Sequence, residues 1–277
     1  MMKVLANFLC CFVPGKKNRK EIKRRLFGTK NRLRELLAYG CRIENDIITT
    51  PQGVRIDISH VPHEALGITR EVFLHQDYAI HFRQEAILID IGFNRGIASL
   101  FFATCPNVVK IYAFEPFKPT FELAKKNLEL NPQLSQKINA FNIGLGKMDT
   151  MLELPYMDTA TGGMSTTHDV CKGKHNGRTE TVVVKDAAGQ IAPILEEHKD
   201  KHIIVKCDCE GAEFEIFERL HEKGLIEKMD VILMEYHYNK PDSLIDILTS
   251  HGFAVRTKVL SEEMNKGYIY AVRMAKK

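Results

Sequence analysis

The sequence predicts an α/β fold built on a doubly wound, mostly parallel sheet that closes with an antiparallel hairpin. From Ala86 onward, short β-branched apolar runs alternate with segments of helical periodicity, which is the pattern of successive βα units. The runs are apolar almost throughout, as expected of strands buried on both faces. The last two runs have no long helix between them, so we expect them to pair as a hairpin.

The composition agrees with this fold class. The chain has 277 residues, of which 44% are hydrophobic and 27% charged. These values fit one large or two small soluble domains with an ample core. They exclude a disordered chain, a disulfide miniprotein, a collagenous protein and a multi-pass membrane protein.

The predicted strands and helices alternate along the chain. The strand sequences are AILIDIG, VVKIYAFE, INAFNIG, TVVVK, HIIVKCD, DVILMEYH, FAVRTKVL and GYIYAVRM. The helices are predicted at Ile97–Thr104, Phe117–Leu130, Ile191–His198, Glu213–Lys223 and Ser243–His251. A doubly wound sheet binds its ligands beyond the carboxyl ends of its strands, so the polar residues at those ends are the candidates for function.

The first 34 residues differ from the rest in charge. They contain eleven Lys and Arg and one acid, Glu21, which gives this arm a net charge of +10 against −6 for the remainder. An apolar segment, Val4–Val13, precedes the basic cluster and is too short to span a bilayer, which takes about twenty residues. The combination suits peripheral attachment to the inner face of the cell membrane. A solvated basic tail with a short docking helix is the alternative.

Residues 35–85 are of mixed character. A helix that ends at Gly40 is followed by short β-like segments and by a loop or helix with scattered histidines. We assign this region as an N-terminal cap on the domain at 86–277. The seven cysteines of the chain are odd in number and include no CxxC pair, which predicts a reduced, cytoplasmic protein.

Two strand ends carry the signature of a nucleoside-binding site. The sequence ILIDIGFNRG gives the spacing D-x-G-x-N-x-G at the first strand-to-helix turn, with Asp90, Gly92, Asn94 and Gly96. A helix N-terminus at such a turn offers polarised N–H groups. The next strand ends in YAFEP and places Glu115 where a carboxylate can accept from both hydroxyls of a ribose. The turn lacks the G-x-G-x-x-G spacing of dinucleotide-binding proteins.

These segments resemble the FkbM family of class I, S-adenosylmethionine-dependent methyltransferases. The resemblance covers IDIGFNRG, YAFEP, NIGLG, GGMS, KCDCEGAE and MEYH, of which KCDCEGAE is the most specific. Phe93 and the Lys185-Asp186 pair depart from the family's usual residues and could alter the shape of the pocket. The resemblance implies a seven-stranded sheet of the class I methyltransferase type with S-adenosylmethionine as cofactor.

The resemblance also implies roles for the residues at the strand ends. The methionine end of the cofactor would be held by Asp90, Gly92, Asn94 and Gly96. Glu115 would bind the ribose. Asn142, at the tip of the third strand, falls where this class contacts adenine, and an amide that only caps a loop is the alternative for this residue.

Acidic residues are expected on the side of the transferred methyl group, because the acceptor must be positioned and lose a proton. One strand leads into Asp208 and Glu210, and the next carries Glu235 and His237, two residues apart and so on one face. We predict these four as the catalytic set. The sequence does not separate a base from a ligand, and helix capping is the alternative for the acids. We assign no metal here, although three or four of these residues could hold a divalent cation that binds a sugar diol.

A long segment rich in Gly, Thr and Ser, residues 147–178, follows the third predicted strand. Loops of this length are often mobile lids, and disorder without a role is the alternative. Within it, Gly163 and Ser165 belong to the small-residue motif of the resemblance.

The function implied is O-methylation of a hydroxyl group, on a sugar of a surface glycan, a glycolipid or a natural product. The partner would be a small-molecule or lipid-linked glycan, and nucleic acid is disfavoured because the basic residues cluster in the arm. Two alternatives remain at this point. One is a nucleotide-dependent oxidoreductase, and the other is a catalytically inactive scaffold at the membrane with the same fold.

Overall fold

The structure is a computed structural model that describes residues 16–171 and 177–274, with side chains from residue 28 onward. The chain divides into two compact units, Met1–Asp77 and Tyr78–Lys277. The predicted membrane-seeking segment Val4–Val13 lies outside the described residues, and its role stays a prediction. No helix in the described ranges combines the length and the apolarity that crossing a bilayer requires.

The first unit is small, and its strands pair with strands that are next to them in the sequence. Helix α1 (Lys16–Tyr39) is followed by an antiparallel sheet, β1 (Arg42–Glu44), β2 (Ile47–Thr49) and β3 (Arg55–Asp57), and then by helix α2 (Pro62–Thr69) and a π-helical turn at Arg70–Leu74. The predicted helix ends before Gly40 as expected, but it begins much earlier, so the basic cluster of the arm is helical. Lys and Arg are good helix formers, which explains this extension.

The second unit contains the predicted βα units. Its strands are β4 (Ala86–Ile91), β5 (Val108–Phe114), β6 (Ile138–Phe141), β7 (Gly144–Gly146), β8 (Thr150–Pro155), β9 (Thr179–Asp186), β10 (His202–Cys207), β11 (Val231–Tyr236), β12 (Phe253–Ser261) and β13 (Lys266–Arg273). Its helices are α3 (Ile97–Ala103), α4 (Lys118–Glu129), α5 (Pro132–Ser135), α6 (Ala187–Glu197), α7 (Glu213–Glu222) and α8 (Asp242–Ser250), with 3₁₀ turns at Thr161–Gly163 and Ile226–Lys228.

The main sheet confirms the predicted architecture. Its seven strands run in the order β12-β13-β11-β10-β4-β5-β6, in which β4, β5, β6, β10 and β11 are parallel and β13 is antiparallel to both of its neighbours. Every residue of β4 and β11 is buried, as the unbroken apolar runs predict. The carboxyl ends of β5, β4, β10 and β11 therefore lie side by side at one edge of the sheet.

The run TVVVK does not enter this sheet. It forms β9, which pairs with β7 and β8 in a separate three-stranded sheet. Only Val182 and Val184 of the run are fully buried, so buried and solvated residues alternate along this strand. The three consecutive valines are all apolar, and the sequence therefore does not show this alternation. Strand β8 lies inside the segment predicted as a long loop, so part of residues 147–178 is regular structure.

Gly92, in the turn after β4, brings the ends of β4 and β10 into contact. Its φ is +84°, and a Cβ atom there would lie 1.8 Å from the main-chain oxygen of Asp208. The sequence suggests that this glycine lets the backbone approach a ligand. The structure shows that the space beside Gly92 is limited by the turn after β10, which carries Asp208.

We expect Gly92→Ala to destabilise the protein by at least about 2 kcal/mol more than Gly252→Ala, because overpacking against fixed backbone is costly. Gly252 is a matched control, since its φ is +80° and a Cβ atom there would meet nothing within 4 Å. Urea unfolding of the two variants measures the difference. Equal midpoints for both variants would show that the two turns do not press on each other.

Candidate active site

A cavity opens at the carboxyl edge of the main sheet, where the sequence predicts the site. Its empty space, together with the open solvent at its mouth, is about 560 Å³. Its walls come from the turns after β4, β5 and β10, from the β7 strand, from the start of α7 and from residues 161–166. Part of each predicted set therefore meets in one space, namely Gly92, Asn94 and Glu115 of the cofactor residues and Asp208 and Glu210 of the catalytic residues.

Asp90 and Gly96 support the turn after β4 but do not line this cavity. The Asp90 carboxylate is fully buried, accepts a hydrogen bond of 2.6 Å from Ser99 Oγ and lies 3.1 Å from Lys206 Nζ. Lys206 Nζ also donates to the carbonyl oxygen of Gly92 at 2.6 Å. These contacts pair the Asp90 carboxylate with groups of the protein and support the turn, while a direct contact of Asp90 with a ligand stays a prediction.

Gly96 is required for packing inside the same turn. Its φ is +73°, and a Cβ atom there would lie 2.8 Å from the ring of Phe93. The Phe93 ring is buried and does not line the cavity. The unusual residue Phe93 therefore packs beneath the turn and does not form part of the cavity wall.

Gly92 and Asn94 are the members of this turn that line the cavity. Asn94 has a positive φ of 52°, and its backbone N–H donates to Glu115 Oε2 at 2.8 Å. Its side-chain oxygen Oδ1 is buried and has no hydrogen-bond partner among the described residues. Buried acceptors are rarely left unpaired, so this oxygen fits a donor on a bound ligand.

Glu115 lines the cavity and is held by two backbone donors, Asn94 N–H on Oε2 and Phe117 N–H on Oε1, the latter at 3.0 Å. Each carboxylate oxygen can accept more than one hydrogen bond, so both remain able to accept from adjacent hydroxyls of a ribose. Burial raises the pKa of Glu115 to about 7, against the effect of these two hydrogen bonds.

Asn142 does not line the cavity. Its side-chain amide donates to the carbonyl oxygens of Glu115 at 2.9 Å and Pro116 at 3.1 Å. The structure thus favours the alternative that the sequence left open, an amide that caps the loop after β5. Asn142 holds the segment that carries Glu115, and its contact with adenine stays a prediction.

The four residues of the predicted catalytic set lie together at the ends of β10 and β11. His237 Nε2 lies 3.9 Å from Asp208 Oδ1, 3.7 Å from Glu210 Oε2 and 3.6 Å from Glu235 Oε1. Asp208 and Glu210 line the cavity. Glu235 and His237 are buried behind them.

Several further residues complete this cluster, and the sequence did not assign them. Glu213 Oε1 lies 2.9 Å from His237 Nδ1. Tyr78 donates to Asp208 at 3.0 Å, and Tyr238 donates to Glu210 at 3.3 Å. Lys266 Nζ lies 2.6 Å from Glu235 Oε1. Of these, only Glu213 had a visible signal, since it belongs to the KCDCEGAE motif.

The pKa values in the cluster follow from burial and charge. Burial raises the pKa of Glu210 and of Glu235 to about 7. Burial also opposes the charge of Asp208, yet Lys206, His237 and Lys266 hold the pKa of this carboxyl below its ordinary value. Burial would lower the pKa of His237, but its bond to Glu213 and the nearby carboxylates raise it to about 9.

Glu210 adopts the left-handed backbone conformation, with φ 54°. Such a conformation is strained for a residue with a side chain, and it is common at functional sites. The Ser165 hydroxyl donates to the Glu210 carbonyl oxygen at 2.5 Å. This contact ties the predicted lid to the turn that carries Glu210.

The predicted lid contributes to the cavity wall. Four of its residues line the cavity, namely Thr161, Gly162, Met164 and Thr166. The ring of His168 stacks on Tyr238 with 4.3 Å between centroids. A Cβ atom at Gly163 would meet no other atom within 4 Å. Residues 161–168 therefore lie against the cluster, while motion of this segment stays a prediction.

Comparison with known proteins shows the family to which the chain belongs. Residues 90–255 match the family described as the Methyltransferase FkbM domain. The chain is 25% identical over 208 residues to Methyltransferase 1 of Beauveria bassiana, with 68% of this chain and 80% of the relative covered. It is 24% identical over 268 residues to the AMB antimetabolite synthetase AmbE of Pseudomonas aeruginosa, covering 82% of this chain but only 12% of that much longer protein.

Two solved structures are similar at a low level. Methyltransferase FkbM from Methylobacillus flagellatus aligns with a TM-score of 0.46 and 12% identity, covering 91% of this chain and 60% of that one. Sp1610 of Streptococcus pneumoniae, in complex with S-adenosyl-L-methionine, aligns with a TM-score of 0.41 and 17% identity, covering 70% of each chain.

Proposed function

This chain belongs to the FkbM methyltransferase family, and from that premise we propose that it transfers the methyl group of S-adenosylmethionine to a hydroxyl oxygen of a sugar. The chain is an S-adenosylmethionine-dependent methyltransferase, and the oxidoreductase and scaffold alternatives are set aside with the family assignment. What we propose is the identity of the methyl acceptor. We place it in a surface glycan, a glycolipid or a natural product.

The cavity fits an adenosyl cofactor on two observations. The Asn94 Oδ1 atom is a buried acceptor without a partner among the described residues. The Glu115 carboxylate is fixed by two backbone N–H groups and keeps acceptor capacity toward the cavity. Gly92 and Asn94 would hold the methionine end, and Glu115 would bind the ribose hydroxyls. When bound, S-adenosylmethionine supplies a methyl group on a sulfonium, a good leaving group that departs as a neutral thioether.

Glu210 is the residue that we assign to the acceptor proton. It lines the cavity, and among the described residues only the Tyr238 hydroxyl donates a hydrogen bond to its carboxylate. Asp208 also accepts one hydrogen bond, from Tyr78, but nearby cations hold its pKa below the ordinary value, whereas burial raises the pKa of Glu210 to about 7 and makes it the better proton acceptor. As the new O–C bond forms, the electron pair of the acceptor O–H bond stays on oxygen, and the proton moves to a free lone pair of Glu210.

The acceptor side of the cavity supports a polyhydroxylated substrate. Carboxylates of Asp208 and Glu210 line it, and Glu235 lies directly behind. Carboxylates are acceptors that bind hydroxyl donors well, whereas an amine acceptor would arrive as a cation among these acids and be held in its unreactive, protonated form. The convergence of Asp208, Glu210, Glu235 and His237 beside the cofactor cavity is the observation that carries this proposal.

Labelled methyl transfer tests the acceptor class. The protein is incubated with methyl-tritiated S-adenosylmethionine and an extract of the producing cells from which its gene has been deleted. Acid hydrolysis of the lipid, glycan, protein and RNA fractions should release the label in an O-methyl sugar. Label recovered in amino acids or nucleobases instead would contradict the proposal.

Cofactor affinity should depend on pH through Glu115. Burial raises its pKa to about 7, with Lys206 and Asp90 as the charged groups acting on it. Ribose hydroxyls donate to the ionised carboxylate, so binding favours the charged form and weakens as the pH falls. We expect affinity for S-adenosylhomocysteine to drop about tenfold for each pH unit below that pKa. Calorimetry between about pH 8 and about pH 5.5 measures this, and a flat profile would contradict a ribose on Glu115.

The basic arm agrees with a lipid-linked acceptor, and we propose that it attaches the protein peripherally to anionic membranes. The support is the +10 charge of residues 1–34 beside the Val4–Val13 segment. Flotation with vesicles that contain phosphatidylserine should recover the full chain but not a variant without residues 1–30. Equal recovery of both would contradict the attachment.

A further inference from the structure

We propose that Asp208, Glu235 and His237 hold a divalent cation, and that this cation binds adjacent oxygen atoms of the acceptor. The inference rests on the proposed function only for the identity of the acceptor, since the cation site itself is argued from the geometry of the cluster. The sequence alone left this site unassigned. The structure adds two independent observations.

The first observation is the spacing of the ligand atoms. One oxygen from each carboxylate and one ring nitrogen of His237 lie within 4.8 Å of one another. The distances from Nε2 are 3.9 Å to Asp208 Oδ1 and 3.6 Å to Glu235 Oε1. These distances are too long for hydrogen bonds. Two ligands that each lie about 2.0–2.2 Å from one metal ion can be up to about 4.4 Å apart. Both distances from Nε2 therefore fit a shared cation, while the limit of 4.8 Å for the whole set is slightly wider than such a site.

The second observation is the state of the His237 ring. The residue is 2% exposed, and its Nε2 atom has no hydrogen-bond partner among the described residues. Its Nδ1 atom is engaged by Glu213 Oε1 at 2.9 Å. A divalent cation binds only the neutral ring, so it would displace the proton that the nearby carboxylates hold on His237 and take the lone pair of Nε2, while Nδ1–H donates to Glu213. A carboxylate on the far nitrogen is the usual support of a metal-binding histidine.

The charges of the cluster favour the same ligand. Four carboxylates face His237, from Asp208, Glu210, Glu213 and Glu235. The ammonium of Lys266 neutralises part of this charge through Glu235, while Lys206 is held on Asp90. A surplus of negative charge therefore remains around the gap. Carboxylates suit Mg²⁺, Ca²⁺ and Mn²⁺, and imidazole suits transition-metal ions, so Mn²⁺, a transition-metal ion that carboxylates bind, is the probe we choose for this mixed donor set.

A cation at this position would adjoin the cavity, because Asp208 belongs to both the cluster and the cavity wall. Coordination positions not taken by protein would accept two neighbouring hydroxyl oxygens of a sugar. A Lewis acid at a hydroxyl lowers its pKa and fixes its orientation. Glu210 then takes the proton, and the cation selects acceptors with adjacent hydroxyls.

The test is a Mn²⁺ titration of the full chain after chelator treatment, followed by the electron paramagnetic resonance signal of free Mn²⁺. The unchanged protein should bind one ion, and His237→Gln should lose at least about tenfold in affinity. His251→Gln is the matched control, since His251 contacts His221 away from this cluster. Binding of S-adenosylhomocysteine by His237→Gln confirms that the variant is folded, and Glu235→Gln replaces it if that binding is lost.

Loss of Mn²⁺ affinity in His237→Gln but not in His251→Gln supports the site. Equal binding by both variants, or no binding by the unchanged protein, overturns it. The outcome is separable from that of the proposed function. If hydroxyl methylation continues undiminished in the presence of a chelator, only the proposal of the cation site is contradicted. If the protein binds Mn²⁺ but transfers no label to any sugar, only the proposal of a sugar acceptor is contradicted.

Discussion

Glu115→Gln should weaken S-adenosylhomocysteine binding by at least about 100-fold, because each hydrogen bond to a charged acceptor contributes about 1.5–3 kcal/mol and two ribose hydroxyls are lost to it. The substitution keeps the size of the side chain. However, a glutamine has one acceptor oxygen, while the backbone N–H groups of Asn94 and Phe117 each need one. Its NH₂ group would therefore face a backbone donor.

Calorimetry with S-adenosylhomocysteine measures the loss, and Glu129→Gln is the control because Glu129 is an exposed residue at the end of α4. Circular dichroism shows whether both variants keep their helices. If folded Glu115→Gln binds S-adenosylhomocysteine as tightly as Glu129→Gln does, the ribose does not lie on this carboxylate.

Glu210→Gln should lower the turnover number by about 10²- to 10⁴-fold, the range typical of a lost general base. Its affinity for S-adenosylhomocysteine should stay within a few-fold, because the residue lies on the acceptor side of the cavity. An amide in place of the carboxylate can still accept from Tyr238, so the turn should keep its shape. The amide cannot take the proton of the acceptor hydroxyl.

Single-turnover methyl transfer from labelled S-adenosylmethionine separates this chemical step from product release. The control is Glu227→Gln, which removes an exposed carboxylate from the 3₁₀ turn after α7. A Glu210→Gln variant that transfers at the control rate would assign the proton to another group. Tyr238→Phe should cost less than Glu210→Gln, since it removes only the hydroxyl that orients the base.

The candidate site could be predicted in part because strand ends can be recognised in sequence. Apolar runs that stop at Cys207 and Tyr236 place Asp208 and His237 at the ends of strands, and neighbouring parallel strands end at one edge. The pairing of β10 with β11 then brings the four predicted residues together without any detail of packing. The same reasoning places Glu115 one strand away from the turn after β4.

Other parts of the site depend on tertiary register, which the sequence does not display. Lys266 reaches Glu235 because β13 runs antiparallel beside β11, where Glu235 faces Tyr268. Tyr78 precedes strand β4 by several residues and meets Asp208 only once the unit that contains both has folded. Lys206 had a signal of its own, since a lysine in a buried strand needs an acidic partner, and Asp90 on the neighbouring strand supplies it.

Three of the predicted cofactor residues show that a residue pattern does not reveal which neighbour a group contacts. Gly92 lies so close to Asp208 that a Cβ atom would clash with its main-chain oxygen, and the Asn142 amide donates to two carbonyl oxygens of the loop after β5. Asp90 is bonded by Ser99 and paired with Lys206. The Asn142 amide and the Asp90 carboxylate thus have partners within the protein, whereas Gly92 both packs against Asp208 and lines the cavity.

A crystal structure with S-adenosylhomocysteine tests the central claim most directly. The ribose hydroxyls should lie on Glu115, and the thioether sulfur should face Asp208 and Glu210 across a gap that one acceptor oxygen can fill. Density for the ligand on another face of the sheet, or a ribose bound away from Glu115, would contradict the account.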